Sequence, residues 1–357
     1  MSRTIEQNLT LLSSTKRNIR NAINIKGGSV SSATPFADYA TAISNLPSGG
    51  GGTDLDWSLI GYSSRPSTID DDYAYARQIY VDWDATQTSL MRKFNNDIQL
   101  VYMPFVNTSN AVKMYEMFRN CSRLTTIPLL DTSGVTDMYS MFIGCISLTT
   151  IPLLNTSACG NMSHMFSSCY NLTTIPLLNT SACTNMNSMF STCSGLTTVP
   201  ELNTSACRDM SAMFSDCSGL TTVPELNTSA CTNMQMMFTD CTKLEKIGGL
   251  DLTSVTNISY FFGFSNNITL RHALFKNLGT PSNMTSYDFS KATNWGVADS
   301  TYTDARQSLV DSLLTYSFDR ATAGYSTCTI KLSANSKNQL TAQEITDIEA
   351  KGYTITT

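Results

Sequence analysis

Residues 185–208 read NMNSMFSTCSGLTTVPELNTSACR, and the same pattern returns every 24 residues along the middle of the 357-residue chain. Phenylalanine and cysteine keep their places in successive copies, at Phe118, Phe142, Phe166, Phe190, Phe214, Phe238 and Phe262 and at Cys121, Cys145, Cys169, Cys193, Cys217 and Cys241. A unit of 24 residues cannot bury its own apolar face, so each copy must stack on the next. The period therefore predicts continuous internal ladders of equivalent side chains.

One copy of the repeat contains signals for three local structures. The stretch from Leu172 to Leu177 predicts a short strand with its apolar side chains pointing inward. The segment Asn179-Thr-Ser predicts a turn, because these side chains bond to nearby backbone groups. The spacing of Met186, Met189 and Phe190 predicts a helical or 3₁₀ turn. Phe94 and Leu100 keep the period before the array and indicate a degenerate copy there.

The repeated block also resembles a known family. C-x-x-L-x-x-I-P-x-L followed by N-M-x-x-M-F is similar to BspA-like leucine-rich repeats, particularly the Met-Phe-rich variety of mycoplasma-type and Bacteroides-associated proteins. The resemblance covers about residues 88–290. It implies a curved right-handed solenoid that binds surfaces and performs no catalysis. We therefore expect an α/β solenoid of 24-residue coils, with an N-terminal cap at 55–98 and leucine-rich repeats at 99–290.

The first 48 residues differ from the repeats in composition and predict a helical hairpin. An apolar stripe with coiled-coil-like spacing is formed by Ile5, Leu9, Leu12, Ile19 and Ile23. Lys16 occupies the vacant position of this stripe. A second helix is expected to start at Thr34-Pro35, and residues 49–54 form a glycine-rich linker.

This opening resembles N-terminal segments of tail-fibre-like and other structural proteins of bacteriophages. The resemblance rests on K-R-N-I-R-N-A-I-x-x-K-G at 16–27 and T-P-F-x-x-Y-x-x-x-I at 34–43. It implies an anchor that binds other virion proteins, with assembly in the host cytoplasm. The helices also suggest a homo-oligomer. The N-terminus has no apolar signal region, which agrees with this expectation. The alternative is a bacterial cell-surface leucine-rich-repeat adhesin.

The C-terminal residues 291–357 leave the repeat and predict an α/β cap. A helix is expected near Ser308–Leu314 and a strand at Thr327–Ser333. Thr341 and Glu344 form the pattern of a capping box at the start of a further helix. A final strand at 353–357 would complete a cap over the last coil.

Composition and motifs argue against several classes of protein. A net charge of -5 without a basic run argues against nucleic-acid binding, and the apolar stretches are too short to span a membrane. Phosphate-loop, G-x-S-x-G and Rossmann patterns are absent, so no enzyme and no cofactor are expected. The eleven cysteines lack metal-ligand spacing, and we expect buried free thiols rather than a metal site.

Recognition is expected at positions that vary between copies. Aromatic and arginine side chains on a rigid platform are common anchors of interfaces. Candidate ligand-binding residues are Tyr115, Arg119, Arg123, Tyr139, His164 and Tyr170. The partner would be a glycan or a protein on a host surface. The alternative is that these side chains only decorate a solvated edge.

Overall fold

The computed structural model describes residue 79 and residues 84–103, 106–263, 269–278, 286–323 and 325–357. The predicted hairpin at 1–48, its stripe from Ile5 to Ile23 and the linker at 49–54 lie outside the described residues. Those expectations therefore stay predictions.

Successive 24-residue copies, here called coils, stack on one another through parallel backbone pairing. Isolated bridges join residues one period apart, at Lys113, Asp137, Asn161, Asn185, Asp209, Asn233 and Asn257. Further hydrogen bonds run from amides of one coil to carbonyls of the next; for example, the Phe166 amide donates to the Met189 carbonyl at 2.9 Å. Each coil therefore supplies the hydrogen-bond partners of its neighbour, and the predicted contact between equivalent residues is confirmed.

The phenylalanines form a continuous stack of rings through the core. From Phe94 to Phe238, neighbouring ring centroids lie 5.4–5.7 Å apart with interplanar angles of 3–11°. The methionine, cysteine and leucine ladders beside them are buried as well. The stack changes at Phe262, whose centroid lies 6.3 Å from that of Phe238 at 29°. Here Phe261 replaces the ladder methionine and meets Phe238 edge-on.

The Met-Phe block is a pair of turns, so the expected helical turn is wrong. Residues 84–103 and 106–263 contain turns, bridges and short strands but no helix. The Met189 amide donates to the Met186 carbonyl, and the Cys193 amide donates to the Phe190 carbonyl. Ser188 and Thr192, the third residues of these turns, have φ values of 53° and 64°. A positive φ at this position is typical of a type II turn and interrupts a helix.

The expected strand in each coil is largely irregular. Leu177 is 54% exposed, whereas Leu178 is buried, so the inward direction expected for Leu177 is wrong. Pro176 lacks an amide hydrogen and cannot complete a ladder of hydrogen bonds. A longer strand forms where Gly248 replaces this proline. There β1 (Thr222–Val223), β2 (Lys246–Asp251) and β3 (His272–Lys276) form a parallel sheet in the order β1-β2-β3.

A second parallel sheet and three short helices follow the coils. The sheet has the order β4 (Ser286–Asp288), β5 (Cys328–Lys331) and β6 (Tyr353–Thr356). The helices are α1 (Ala305–Val310), α2 (Ala334–Lys337) and α3 (Ala342–Ala350). Helix α1 continues into a π-helical turn at Asp311–Thr315. No helix among the described residues is long and apolar enough to cross a membrane.

Side chains of this C-terminal unit occupy the free edge of β3. The Phe275 amide donates to Ser312 Oγ at 2.9 Å, and Trp295 Nε1 donates to the Ala273 carbonyl at 3.1 Å. These bonds replace those that another coil would supply. The capping box predicted at α3 is confirmed: the Glu344 amide donates to Thr341 Oγ1, and the Thr341 amide donates to Glu344 Oε2.

Candidate binding site

The site is built on the first turn of the Met-Phe block in three consecutive coils. Glu116, Ser140 and His164 occupy the same place in these coils, with φ values of 53–56°. Their amides donate to carbonyls of the following coil; for example, the Glu116 amide donates to the Tyr139 carbonyl at 2.8 Å. Because the same positive-φ turn recurs in these three coils, side chains one period apart project side by side. Tyr115 and Tyr139 are such a pair.

Glu116 is a buried carboxylate that holds two arginines. Its side chain is 4% exposed and accepts hydrogen bonds from Arg92 in the preceding coil and from Arg119 in its own coil. Burial alone would raise the pKa of Glu116, but the two guanidinium groups outweigh it and lower this pKa. Glu116 is therefore ionised at neutral pH. It orders two guanidinium groups that remain partly open to solvent.

His164 and Tyr139 form the aromatic part of the site. Their ring centroids lie 5.9 Å apart with an interplanar angle of 84°. Partial burial lowers the pKa of His164, the positive charge of Arg119 lowers it further, and a hydrogen bond with Asn187 opposes both. A neutral imidazole at pH 7 offers an acceptor nitrogen beside the tyrosine. Below we call Tyr115, Glu116, Arg119, Tyr139 and His164 the aromatic patch.

The aromatic patch also contains a buried hydroxyl group. Ser140 is 1% exposed, and its Oγ has no hydrogen-bond partner among the described residues. Its backbone position lies between those of Glu116 and His164. An unsatisfied buried polar group costs about 1–3 kcal/mol, so this hydroxyl lowers the stability of the turn on which the patch is built.

The structure brings together three of the six residues predicted to bind a ligand, Arg119, Tyr139 and His164, and it places Tyr115 one period before Tyr139. Tyr115, Arg119, Tyr139 and His164 share the aromatic patch. Arg123 and Tyr170 are exposed, but they follow Cys121 and Cys169 in the next turn of their coils, and Tyr170 is not part of the Tyr139–His164 contact.

Sequence reasoning missed Arg92 and Glu116. A signal existed, because Glu116 is an acidic residue in a block that is otherwise uncharged in most copies, and Arg92 precedes it by one period. The spacing alone does not predict their pairing, because it depends on which side chains the turn directs inward.

A groove of about 510 Å³ forms a second feature that the sequence did not predict. Its charged lining comes from Glu201, Glu225, Asp251 and Lys276. Lys276 Nζ lies 2.8 Å from Glu225 Oε1, and this contact raises the pKa of Lys276. Gly249 lines the same groove as Lys276 and Glu225. A Cβ atom at Gly249 would lie 2.8 Å from Glu225 Oε1, so the glycine leaves room for this contact.

The cysteine thiols and the histidines of the described residues were expected to form no metal site, and their surroundings are as follows. All eleven cysteines are buried free thiols, and burial raises the pKa of each. A thiol of raised pKa is a poor nucleophile and a poor metal ligand at neutral pH. His272 Nε2 lies 3.4 Å from Asp304 Oδ2. No group of three or more His, Cys, Asp or Glu residues in the described part could hold a metal ion.

One family matches the repeats. It is described as "Mycoplasma protein of unknown function, DUF285", and it matches residues 85–196, 112–218 and 160–273. These overlapping matches run from residue 85 to residue 273, which is more than half of the chain. The chain belongs to this family. The resemblance to mycoplasma-type, BspA-like repeats is thereby confirmed.

The DUF285 matches include the whole aromatic patch and most of the groove, but they do not reach residues 1–46. The phage-like resemblance of that segment therefore receives no support from them. A search of curated proteins found no match to this DUF285 protein.

Proposed function

We propose that this DUF285 protein is a non-catalytic binding protein whose coils form one right-handed leucine-rich-repeat solenoid. The observation that carries this proposal is the aromatic patch, in which Tyr139 and His164 pack together beside an arginine held by the buried Glu116. Side chains already held in position lose little entropy on binding, which favours affinity. The patch therefore offers the rings of Tyr115 and Tyr139, the guanidinium group of Arg119 and the neutral imidazole of His164. Its ligand would be a glycan or a protein on a host surface.

The finer proposal is a structural protein of a bacteriophage, assembled in the host cytoplasm and carried on the virion. Its support is the sequence of the first 46 residues, which would bind other virion proteins and form a homo-oligomer. The Mycoplasma description of the family favours the alternative of a bacterial surface adhesin. Mass spectrometry distinguishes the two: peptides of this chain in purified phage particles support the first, and peptides in washed bacterial envelopes support the second.

The binding function is tested with a tyrosine in the patch and a matched tyrosine outside it. Tyr139 and Tyr260 are both exposed and belong to the same turn of different coils. With a glycan array and washed host cells as probes, we expect Tyr139→Ala to weaken binding about thirtyfold, or ~2 kcal/mol, as for an interface anchor. Tyr260→Ala should bind like the unmodified protein. Equal binding by both variants would refute the assignment of the patch.

A further inference from the structure

Each of the two arginines held by Glu116 makes one side-chain hydrogen bond within the described part of the chain. Arg92 donates through Nε to one carboxylate oxygen of Glu116, and Arg119 donates through Nη1 to the other. The two guanidinium groups are therefore neighbours. A guanidinium group has further N–H donors and no acceptor. Because the side chains of Arg92 and Arg119 are 58% and 40% exposed, these further donors are available to a ligand.

The charges of this cluster do not balance. The two arginines supply two positive charges, and the ionised Glu116 supplies one negative charge. Next to the patch, a backbone bridge joins Lys113 to Asp137, and their formal charges cancel. One positive charge is therefore left over, and a ligand group with a single negative charge would match it.

The arginines lie beside the aromatic rings of the patch. Besides partial burial, the positive charge of Arg119 lowers the pKa of His164, so the guanidinium group is within electrostatic range of the imidazole. Ser140, which occupies the equivalent position between Glu116 and His164, is small and buried. Tyr139 contacts His164 edge-on and is 36% exposed. One ligand can therefore contact the guanidinium group and the tyrosine ring together.

This combination of groups suits a sugar that carries a carboxylate. A guanidinium group matches a planar carboxylate with two parallel hydrogen bonds, which are roughly twice as strong as bonds between neutral groups. A tyrosine ring offers an apolar face to the C–H groups of a sugar while its hydroxyl group stays in water. A protein partner would need an interface of about 1,200–2,000 Å² with an apolar centre, whereas the patch consists of polar-edged rings and ions.

We propose that the aromatic patch binds a glycan through a sugar with a carboxylate group, such as a uronic acid or a sialic acid. The carboxylate accepts hydrogen bonds from the remaining N–H groups of Arg92 and Arg119, and the sugar ring packs against Tyr139. This inference rests on the proposed binding function and names the class of its ligand.

Matched ligands test the charge of the sugar on the full-length protein. The probes are sialyllactose and a disaccharide of glucuronic acid, each compared with its methyl ester, which keeps the rings but has no negative charge. Isothermal titration calorimetry measures the affinities. We expect at least one acid to bind about tenfold or more tightly than its ester, because hydrogen bonds to a charged group contribute more. Equal affinities of acids and esters, or no binding of either acid, overturn the inference.

Substitutions connect this preference to the arginines. Arg92→Gln and Arg119→Gln should each reduce the preference for the acid about tenfold. The matched control is Arg123→Gln, at an exposed arginine in the next turn of the same coil, which should keep the preference. Circular dichroism verifies the fold of each variant, and the comparison of acid with ester in the unmodified protein needs no variant. A preference that persists in folded Arg92→Gln and Arg119→Gln overturns the assignment.

Tyr139→Ala separates failure of this inference from failure of the proposed function. If the unmodified protein binds acid and ester equally and Tyr139→Ala weakens both, the patch binds glycans but not through a carboxylate. If Tyr139→Ala changes neither affinity, the proposed function fails as well. A glutamate-rich peptide that binds as tightly as the acidic sugars, and loses this binding in Arg119→Gln, would identify an acidic protein as the ligand and overturn the glycan.

Discussion

At the scale of single residues, the repeat is defined by its backbone conformation as much as by its ladders. Each Met-Phe block contains two residues of positive φ, and most of them are not glycine. At the second position Asn120, Gly144 and Asp216 occur, which are residue types that tolerate this region. At the first position the chain uses Glu116, His164 and Ala212. Thr192, a β-branched residue, also has a positive φ at the second position. Strain is therefore accepted at both positions, including the one from which the aromatic patch projects.

A substitution at Ala212 measures this strain. Ala212 has φ 52°, where a Cβ atom costs roughly 1–2 kcal/mol relative to glycine. We expect Ala212→Gly to raise the free energy of unfolding by up to about 1 kcal/mol, since the relief exceeds the entropy that glycine adds to the unfolded chain. Urea denaturation followed by circular dichroism measures the change.

The matched control is Ala182→Gly, at an exposed position that is not in the positive-φ region. This substitution should lower the free energy of unfolding by about 0.5–1 kcal/mol. If both substitutions lower the free energy of unfolding equally, Ala212 does not adopt the strained left-handed conformation.

At the scale of one element, two cysteine ladders link stability to pH. The thiols of the first ladder donate to phenylalanine carbonyls; for example, Cys145 Sγ lies 3.0 Å from the Phe118 oxygen. Burial raises the pKa of Cys183 to about 11 and that of Cys159 and Cys231 to about 12. In the unfolded chain a thiol has a pKa near 8.5. The folded state therefore retains protons that the unfolded state releases.

The sign of the effect follows from this difference. Below about pH 8.5 the thiols are protonated in both states, and their contribution to stability is fully present. As the pH rises from about 8.5 towards 11–12, the unfolded state loses protons first and becomes more stable relative to the folded state. Each affected thiol then lowers the free energy of unfolding by about 1.4 kcal/mol per pH unit. We expect steep alkaline unfolding, measured by urea titrations between pH 8 and 10.

Valine provides the matched control for the second cysteine ladder. Val135 and Val255 occupy the same position in flanking coils, and both are buried. We replace the ladder residues Cys159, Cys183, Cys207 and Cys231 with valine. Unfolding at alkaline pH should then release about four fewer protons, so the free energy of unfolding should fall less steeply with pH. Stability at pH 7 should change little. An unchanged slope above pH 9 would show that these thiols do not cause the alkaline loss.

At the scale of the whole molecule, the stack needs an end that satisfies its last backbone groups. Ser312 provides one: its hydroxyl accepts from the Phe275 amide at 2.9 Å and lies beside the Ala273 carbonyl. We expect Ser312→Ala to lower the free energy of unfolding by about 1–3 kcal/mol and to speed hydrogen exchange at Phe275. Mass spectrometry of deuterated peptides measures the exchange.

Ser308 is the control for this position. It is also buried in α1, but its hydroxyl bonds only to the Ala305 carbonyl of its own helix. Ser308→Ala should leave the exchange of Phe275 unchanged. Equal exchange in both variants would mean that Ser312 does not protect the edge of β3.

Much of the fold was predictable because the sequence repeats, so the local structure of one coil recurs in the others. The identity of the ladder residues follows from the period, since equivalent residues must meet if equivalent coils stack. The capping box of α3 was predictable for a local reason, because Thr341 and Glu344 are three residues apart. The candidate site was predictable in part: Tyr139 and His164 were found as variable positions, but Glu116 was not.

The sequence by itself determined the period, the ladders and the positions that vary between coils, because these depend only on spacing along the chain. The tertiary structure alone decided which variable residues meet and which side chains face water. Leu177 points outward and Leu178 inward because of the path of the backbone around Pro176. Lys276 reaches Glu225 because the register shifts between Ile247 and Gly249 and no side chain stands between them. Such contacts arise between coils, where small differences in turn geometry determine the direction of each side chain.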